Sequence, residues 1–133
     1  MKLIETSVWV KFLRRRPHAV LQQQVSGLIG SGEAAINSIV RLELLLGTRD
    51  RRSFEGIADE LSGVTDLTIV ARTWDIAADL GYQLRRLGLP TAIPDLVIAA
   101  SAIEHDIVLL HADSDFDRIA QHSDLRVESY VTT

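Results

Sequence analysis

The chain has 133 residues, 47% hydrophobic and 24% charged, with 14 Lys and Arg against 18 Asp and Glu for a formal net charge of −4. That length suits one domain over residues 1–133, and only 8 Gly and 3 Pro exclude collagen-like and low-complexity chains. The absence of Cys excludes disulfide scaffolds, thiolate metal sites and Cys nucleophiles together. No apolar run reaches the ~18 residues of a membrane span, and Glu5 interrupts the N-terminal segment where a signal peptide would stay apolar. A cytoplasmic protein without a membrane partner is expected.

In chain order, Lys2–Ile4 reads as a short buried strand. Ser7 is placed as the N-cap of a helix carrying Val8, Trp9, Phe12 and Leu13, stopped by Arg14, Arg15, Arg16 and Pro17. A second helix is expected over 19–29, closed by Gly30 and Gly32. Residues 34–36 read as strand, and Ser38 as the cap of a helix running to Gly47. Helix is expected over 51–61 and strand over 67–70. Residues 70–87 form the clearest amphipathic pattern, with Trp74, Ala77, Leu80, Gly81, Leu84 and Leu87 at helical spacing before Gly88 and Pro90. Pro94 introduces a helix to His105, then come a strand over 107–110, a helix over 114–121 and a last strand over 125–131. Short buried strands alternating with longer helices predict an α/β domain whose parallel sheet is covered on both faces.

In such domains sites form at the carboxyl ends of strands, and acids cluster there. Glu5 follows the first strand, Glu43 lies inside the apolar run 39–46, Asp95 follows Pro94, and Asp113, Asp115 and Asp117 follow the strand 107–110. Taken singly, Glu5 could favour a helix N-terminus through the dipole, Asp95 could be an N-cap, and the Asp113–Asp117 group a solvated, helix-capping turn. Glu43, among apolar neighbours, is harder to read that way, since a buried unpaired carboxylate is costly. Taken together, carboxylates gathered at one sheet edge repel unless a cation holds them. Oxygen-only ligands suit Mg²⁺ or Mn²⁺, the ions used for phosphodiester hydrolysis.

Other chemistries fail on the residues. Asp113-Ser-Asp115-Phe-Asp117 opens like a calcium loop, but Arg118 stands where that loop needs Gly. A phospho-acceptor receiver domain would need a Lys near its acidic pocket, and the only lysines are Lys2 and Lys11; no phosphate-cradling Gly motif occurs, so nucleotide binding is unsupported. The four His residues show no metal-ligand spacing; His111, near the acids, is read as structural or as supporting a ligand.

These residues resemble the PIN-domain ribonucleases, specifically the VapC toxins of bacterial VapBC toxin–antitoxin pairs. The resemblance rests on Glu5-Thr6-Ser7-Val8-Trp9, the Arg41-Leu42-Glu43 helix ending at Gly47, Pro94-Asp95 with its apolar continuation, and His111-Ala-Asp113-Ser-Asp115-Phe116, in this order over nearly the whole chain. It implies a three-layer α/β/α sandwich around a central parallel sheet, and metal-dependent endonucleolytic cleavage of cellular RNA, commonly tRNA or rRNA. By position Glu5, Glu43, Asp95, Asp113 and Asp115 would be catalytic, with Glu5, Asp95, Asp113 and Asp115 holding Mg²⁺ or Mn²⁺. Thr6 and Ser7 match polar residues that support the first acid, and Asp117 falls outside the set as a solvated helix residue. Two positions depart from the pattern. The first acid is usually Asp, and His111 replaces a Thr or Ser common two residues before the fourth acid.

Metal-activated water attacking an RNA phosphate would leave a 5′-phosphate and a 3′-hydroxyl. Without the five acids the rest of the chain carries one net positive charge, and Arg14–Arg16, Arg49, Arg51, Arg52, Arg85 and Arg86 form basic groups able to grip phosphates. Trp9, Phe12 and Leu13 with Leu42, Leu45 and Leu46 form either a groove for an amphipathic segment of a VapB-type antitoxin or plain core. The family also implies a homodimer. Two alternatives stay open: a catalytically impaired PIN module, its metal site weakened by Glu5, that binds RNA or a partner protein, and a metal-dependent phosphodiesterase acting on DNA.

Overall fold

The computed structural model describes residues 1–14 and 18–132. Arg15, Arg16 and Pro17, expected to end the first helix and to supply part of a basic group, lie outside the described residues. The elements are β1 (Lys2–Ile4), α1 (Thr6–Leu13), α2 (Ala19–Gly30), β2 (Ala34–Ile36), α3 (Ser38–Leu46), α4 (Arg51–Leu61), β3 (Thr65–Asp66), α5 (Ala71–Arg86), α6 (Ile93–Glu104), β4 (Val108–His111), α7 (Ser114–Gln121) and β5 (Val127–Ser129). The five strands lie in the order β3-β2-β1-β4-β5, all parallel, with Leu3 opposite Ala35 on one side and Leu109 on the other. Helices cover both faces, as in the expected α/β/α sandwich. The chain winds outward from β1 through β2 to β3, then crosses back through α5 and α6 to β4. Because such crossovers are right-handed, α1–α4 and α5–α7 fall on opposite faces, in keeping with the packing of α1 on α2 and α3, and of α6 on α5 and α7.

The central strands are apolar without alternation because both their faces are covered. Leu3, Ile4, Ala35, Ile36, Leu109 and Leu110 are fully buried, with Val8, Trp9, Leu21, Val25, Ile98, Phe116 and Ile119 packed over them. On α5, Ala77, Leu80 and Leu84 face inward as their spacing predicts, whereas Trp74 and Leu87 are half exposed or more. Gly81 is where α5 and α6 approach closely: a Cβ there would lie 2.8 Å from Leu96 Cδ1.

Several expectations are corrected. The third strand is Thr65–Asp66, not 67–70; Leu67 N–H still donates to Ile36 O (2.8 Å), after which Ile69 packs on Ala77, Val97 and Ala100 instead of continuing the edge. The first helix is capped by Glu5, whose carboxylate accepts the Ser7 N–H (2.9 Å), not by Ser7. The third is capped by Asn37, which accepts the Val40 N–H (3.0 Å), not by Ser38. Asp95 sits inside the first turn of α6 and caps nothing.

Candidate metal centre

The strand order reverses between β1 and β4, and the carboxyl ends of strands at such a switch point are where open parallel sheets bind ligands. Glu5 leaves β1 there, and Asp113 leaves β4. The two strand ends are stitched together by Glu5 N–H donating to Leu110 O (2.9 Å) and by Ala112 N–H donating to Ser7 Oγ (2.8 Å), while that hydroxyl donates to Glu5 Oε1. Asp95 arrives from the opposite face on the first turn of α6, whose Pro94 costs no hydrogen bond at that position. Asp113 caps α7 by accepting the Asp115 N–H (2.9 Å), which sets Asp115 in the first turn beside it.

Asp95, Asp113 and Asp115 each bring a carboxylate oxygen within 4.8 Å of the others, an all-oxygen set of partly buried hard donors that fits Mg²⁺ or Mn²⁺. Burial pushes Asp95 up to about 6, with the charges of Asp113, Glu43 and Asp115 adding to the rise and Arg118 opposing it. The only cation paired with the trio among the described residues is Arg118, whose Nη2 stands 3.7 Å from Asp115 Oδ1. Negative charge at three partly buried carboxylates with so little compensation favours a divalent ion.

Glu5 and Glu43 are placed differently. Glu5 is 5% exposed, and burial pushes its carboxyl up to about 7 against the lowering effect of the Ser7 bonds, with Asp113 and Asp95 contributing to the rise. It borders the trio, but its Oε1 is turned back onto Ser7, and it is not among the three converging carboxylates. Glu43 is exposed, contrary to the expectation that its apolar neighbours bury it: Val40 and Leu44 face the core, and Glu43 points to the cleft side of α3. It accepts the Thr6 hydroxyl (2.7 Å), so Thr6 supports Glu43, not the first acid, while Ser7 does hold Glu5.

Asp117 is the residue that spacing alone missed. It is not a simply solvated helix position: Oδ1 accepts from Nε2 of the fully buried His111 (3.0 Å), and Oδ2 accepts the Ser129 hydroxyl (3.0 Å). His111 supports a neighbour as expected, its Nδ1 receiving the Asp113 N–H (3.2 Å).

Beside the acids, α1, α3 and α4 enclose a cleft of about 450 Å³ lined by Val10, Leu13, Leu44 and Ile57 and rimmed by Arg14, Glu43, Arg49 and Glu60. Trp9 is 1% exposed and belongs to the core, so it cannot line a groove; Leu42 and Leu46 are exposed. Arg51, Arg52, Arg85 and Arg86 are also exposed. Among the described residues no helix is long and apolar enough to cross a membrane.

A family model described as the PIN domain matches residues 2–121. A VapC ribonuclease of Mycobacterium bovis is 31% identical over 134 aligned positions, covering 98% of this chain and 99% of that protein, and ribonuclease VapC11 of Mycobacterium tuberculosis matches to the same extent. Among solved structures, VapBC2 from Rickettsia felis bound to a promoter DNA fragment superposes with a TM-score of 0.82 at 23% identity, over 97% of this chain and 98% of that one. DNA-bound VapBC from Salmonella typhimurium gives 0.82 at 18% identity, over 96% of each chain. At those identities the structural likeness speaks for the fold, and it is the fold described above. By sequence, the chain belongs to the PIN-domain family and stands among its VapC ribonucleases.

Proposed function

We propose that this protein is a Mg²⁺- or Mn²⁺-dependent endoribonuclease toxin that cleaves cellular RNA such as tRNA or rRNA and is neutralised by a VapB-type antitoxin. The observation that carries the reading is the convergence of Asp95, Asp113 and Asp115 at the switch point of the sheet. Once bound, a divalent ion supplies an activated water and neutralises phosphate charge for phosphodiester hydrolysis. The three aspartates would hold it, each offering one oxygen. Glu43, anchored by Thr6, is close enough for its charge to raise Asp95 and is a further acid beside the trio, and Glu5 braces the loop between β1 and α1. Arg14 and Arg49 on the cleft rim, with exposed Arg51 and Arg52 further along, offer a phosphate track leading to Glu43.

The cleft of Val10, Leu13, Leu44 and Ile57, with exposed Leu46 nearby, suits the apolar face of an antitoxin helix, and its four charged rim residues would fix the register. The family likeness supports a homodimer acting in the cytoplasm. Glu5 favours an attenuated form of the same activity, because its carboxylate is committed to Ser7.

The test is cleavage of total RNA and of single-stranded DNA by the purified chain with Mn²⁺, Mg²⁺ or EDTA. RNA cut into 5′-phosphate fragments only with metal supports the reading. DNA cleavage in its place supports the phosphodiesterase alternative, and no cleavage with intact RNA binding supports the impaired module.

A further inference from the structure

Asp117 and Ser129 have no place in the chemistry above, yet they are tied to it. His111 is fully buried at the end of β4, and both ring nitrogens are engaged: Nδ1 with the Asp113 N–H at 3.2 Å, Nε2 with Asp117 Oδ1 at 3.0 Å. A backbone N–H can only donate, so Nδ1 must present its lone pair, and the ring proton must sit on Nε2. Asp117 is what that Nε2–H donates to. Its own position is set from the next strand, where Ser129 Oγ donates to Oδ2 at 3.0 Å, and β5 is clamped to the same residue by Tyr130 N–H donating to His111 O at 2.7 Å. The Phe116 ring, 5.6 Å from the imidazole centroid, closes off one side of it.

We propose that Asp117 is a positioning residue for the acidic cluster: by accepting from His111 Nε2 it selects the ring form whose Nδ1 fixes the Asp113 backbone, and so aims the Asp113 carboxylate at Asp95 and Asp115. This rests on the metal-centre reading above. Without the Asp117 carboxylate, the buried ring can carry its proton on Nδ1, where it meets the Asp113 N–H donor to donor. The turn at Ala112–Asp113 must then shift, and the cap on Asp115 shifts with it. Hydrogen-bonded groups just outside a metal's ligands typically govern about 10- to 100-fold in metal affinity.

The experiment measures Mn²⁺ affinity of the intact chain by electron paramagnetic resonance, together with the ¹⁵N signals of His111. The wild-type chain should show an Nε2–H ring and a coupling across the hydrogen bond from the Asp113 amide to Nδ1. Asp117→Ala should weaken Mn²⁺ by about 10- to 100-fold and lose that coupling. Asp117→Asn, whose amide oxygen still accepts from Nε2–H, should recover most of both. Equal Mn²⁺ affinity in wild type and Asp117→Ala overturns the inference, as does an Asn variant as weak as the Ala variant, which would make charge and not the hydrogen bond responsible. The wild-type spectrum decides the matter even where Asp117→Ala fails to fold: an Nδ1–H ring overturns it outright. A chain that binds Mn²⁺ through this arrangement but cleaves no RNA overturns the nuclease reading and leaves the positioning role supported.

Discussion

The two ends of one sheet treat charge in opposite ways. At the amino end, residues flanking the strands form ion pairs: the Met1 ammonium with Glu33 at 2.6 Å, and Arg126 with Asp106 at 3.0 Å. The ammonium beside Glu33 holds that carboxyl below its ordinary value. At the carboxyl end, Glu5, Asp95, Asp113 and Asp115 lie near one another with Arg118, on Asp115, as the one cation paired with them among the described residues, and burial lifts Glu5 to about 7 and Asp95 to about 6. The residue types are the same; what differs is burial and the supply of counter-charge. One end is arranged for surface stability, the other keeps an electrostatic deficit that a divalent cation can fill.

The strongest way to break this contrast is to delete charge from the deficient end. Asp95→Asn and Asp113→Asn should each reduce RNA cleavage by more than the roughly hundredfold that loss of an outer partner costs. Melting temperatures should stay level or rise, since each change removes a repelling charge and the amide oxygen introduced by Asp113→Asn can still cap α7. Full activity of both variants on a sensitive RNA would exclude these acids from the chemistry.

Glu5 offers the next largest effect. Its longer side chain reaches back to Ser7, and Mg²⁺ demands near-ideal octahedral geometry. Since about 1 Å of misplacement can cost roughly a hundredfold in rate, Glu5→Asp should raise Mg²⁺-supported turnover by up to about that factor, with Mn²⁺ partly rescuing the chain that carries Glu5. Kinetics of both forms at saturating metal decide it. Equal or lower turnover in Glu5→Asp would show a site adapted to Glu.

The same residue predicts a pH dependence. In EDTA the folded chain holds a proton on Glu5 up to about pH 7, whereas an unfolded Glu releases it near 4.5. Stability is therefore greatest below 4.5 as far as this group is concerned and is lost as pH rises to 7, by about 2–3 kcal/mol. Denaturant unfolding at stepped pH should show that decline, and Glu5→Gln should flatten it. Mn²⁺ binding should expel protons in the same window and tighten with rising pH.

The smallest effect belongs to the other end. Arg126→Ala removes bonds to Asp106 O and Oδ1 at the surface and should change stability by no more than about 1 kcal/mol, leaving cleavage untouched. A large loss of activity there would mean that the two ends are coupled.

Much of this was legible in the residues, because apolar periodicity and carboxylates after strands are local signals. β1, β2, α4 and α7 begin and end where their patterns predict. The misplaced third strand has a physical reason: an edge strand with one partner needs few residues, and the apolar run 67–70 serves helix packing instead. Glu43 was misjudged because apolar residues flank it on both sides in α3, so its pattern does not reveal that Val40 and Leu44 are the ones fully turned to the core while Leu42 and Leu46 are exposed. Asp117 was missed because its partners lie six and twelve residues away and meet only after the crossover from β4 through α7 to β5.

The position of β1 at the middle of the sheet, with β4 as its neighbour, also has a consequence in time. A ribosome delivers Glu5 first and Asp113 more than a hundred residues later, which at ~5–20 residues per second is a delay on the order of 5–20 s. Throughout that interval the emerging chain has no completed crevice, because the strand that carries Asp113 has not been made. A nuclease assembled in this order cannot attack RNA around the machine that is synthesising it until β4 and the turn after it have emerged.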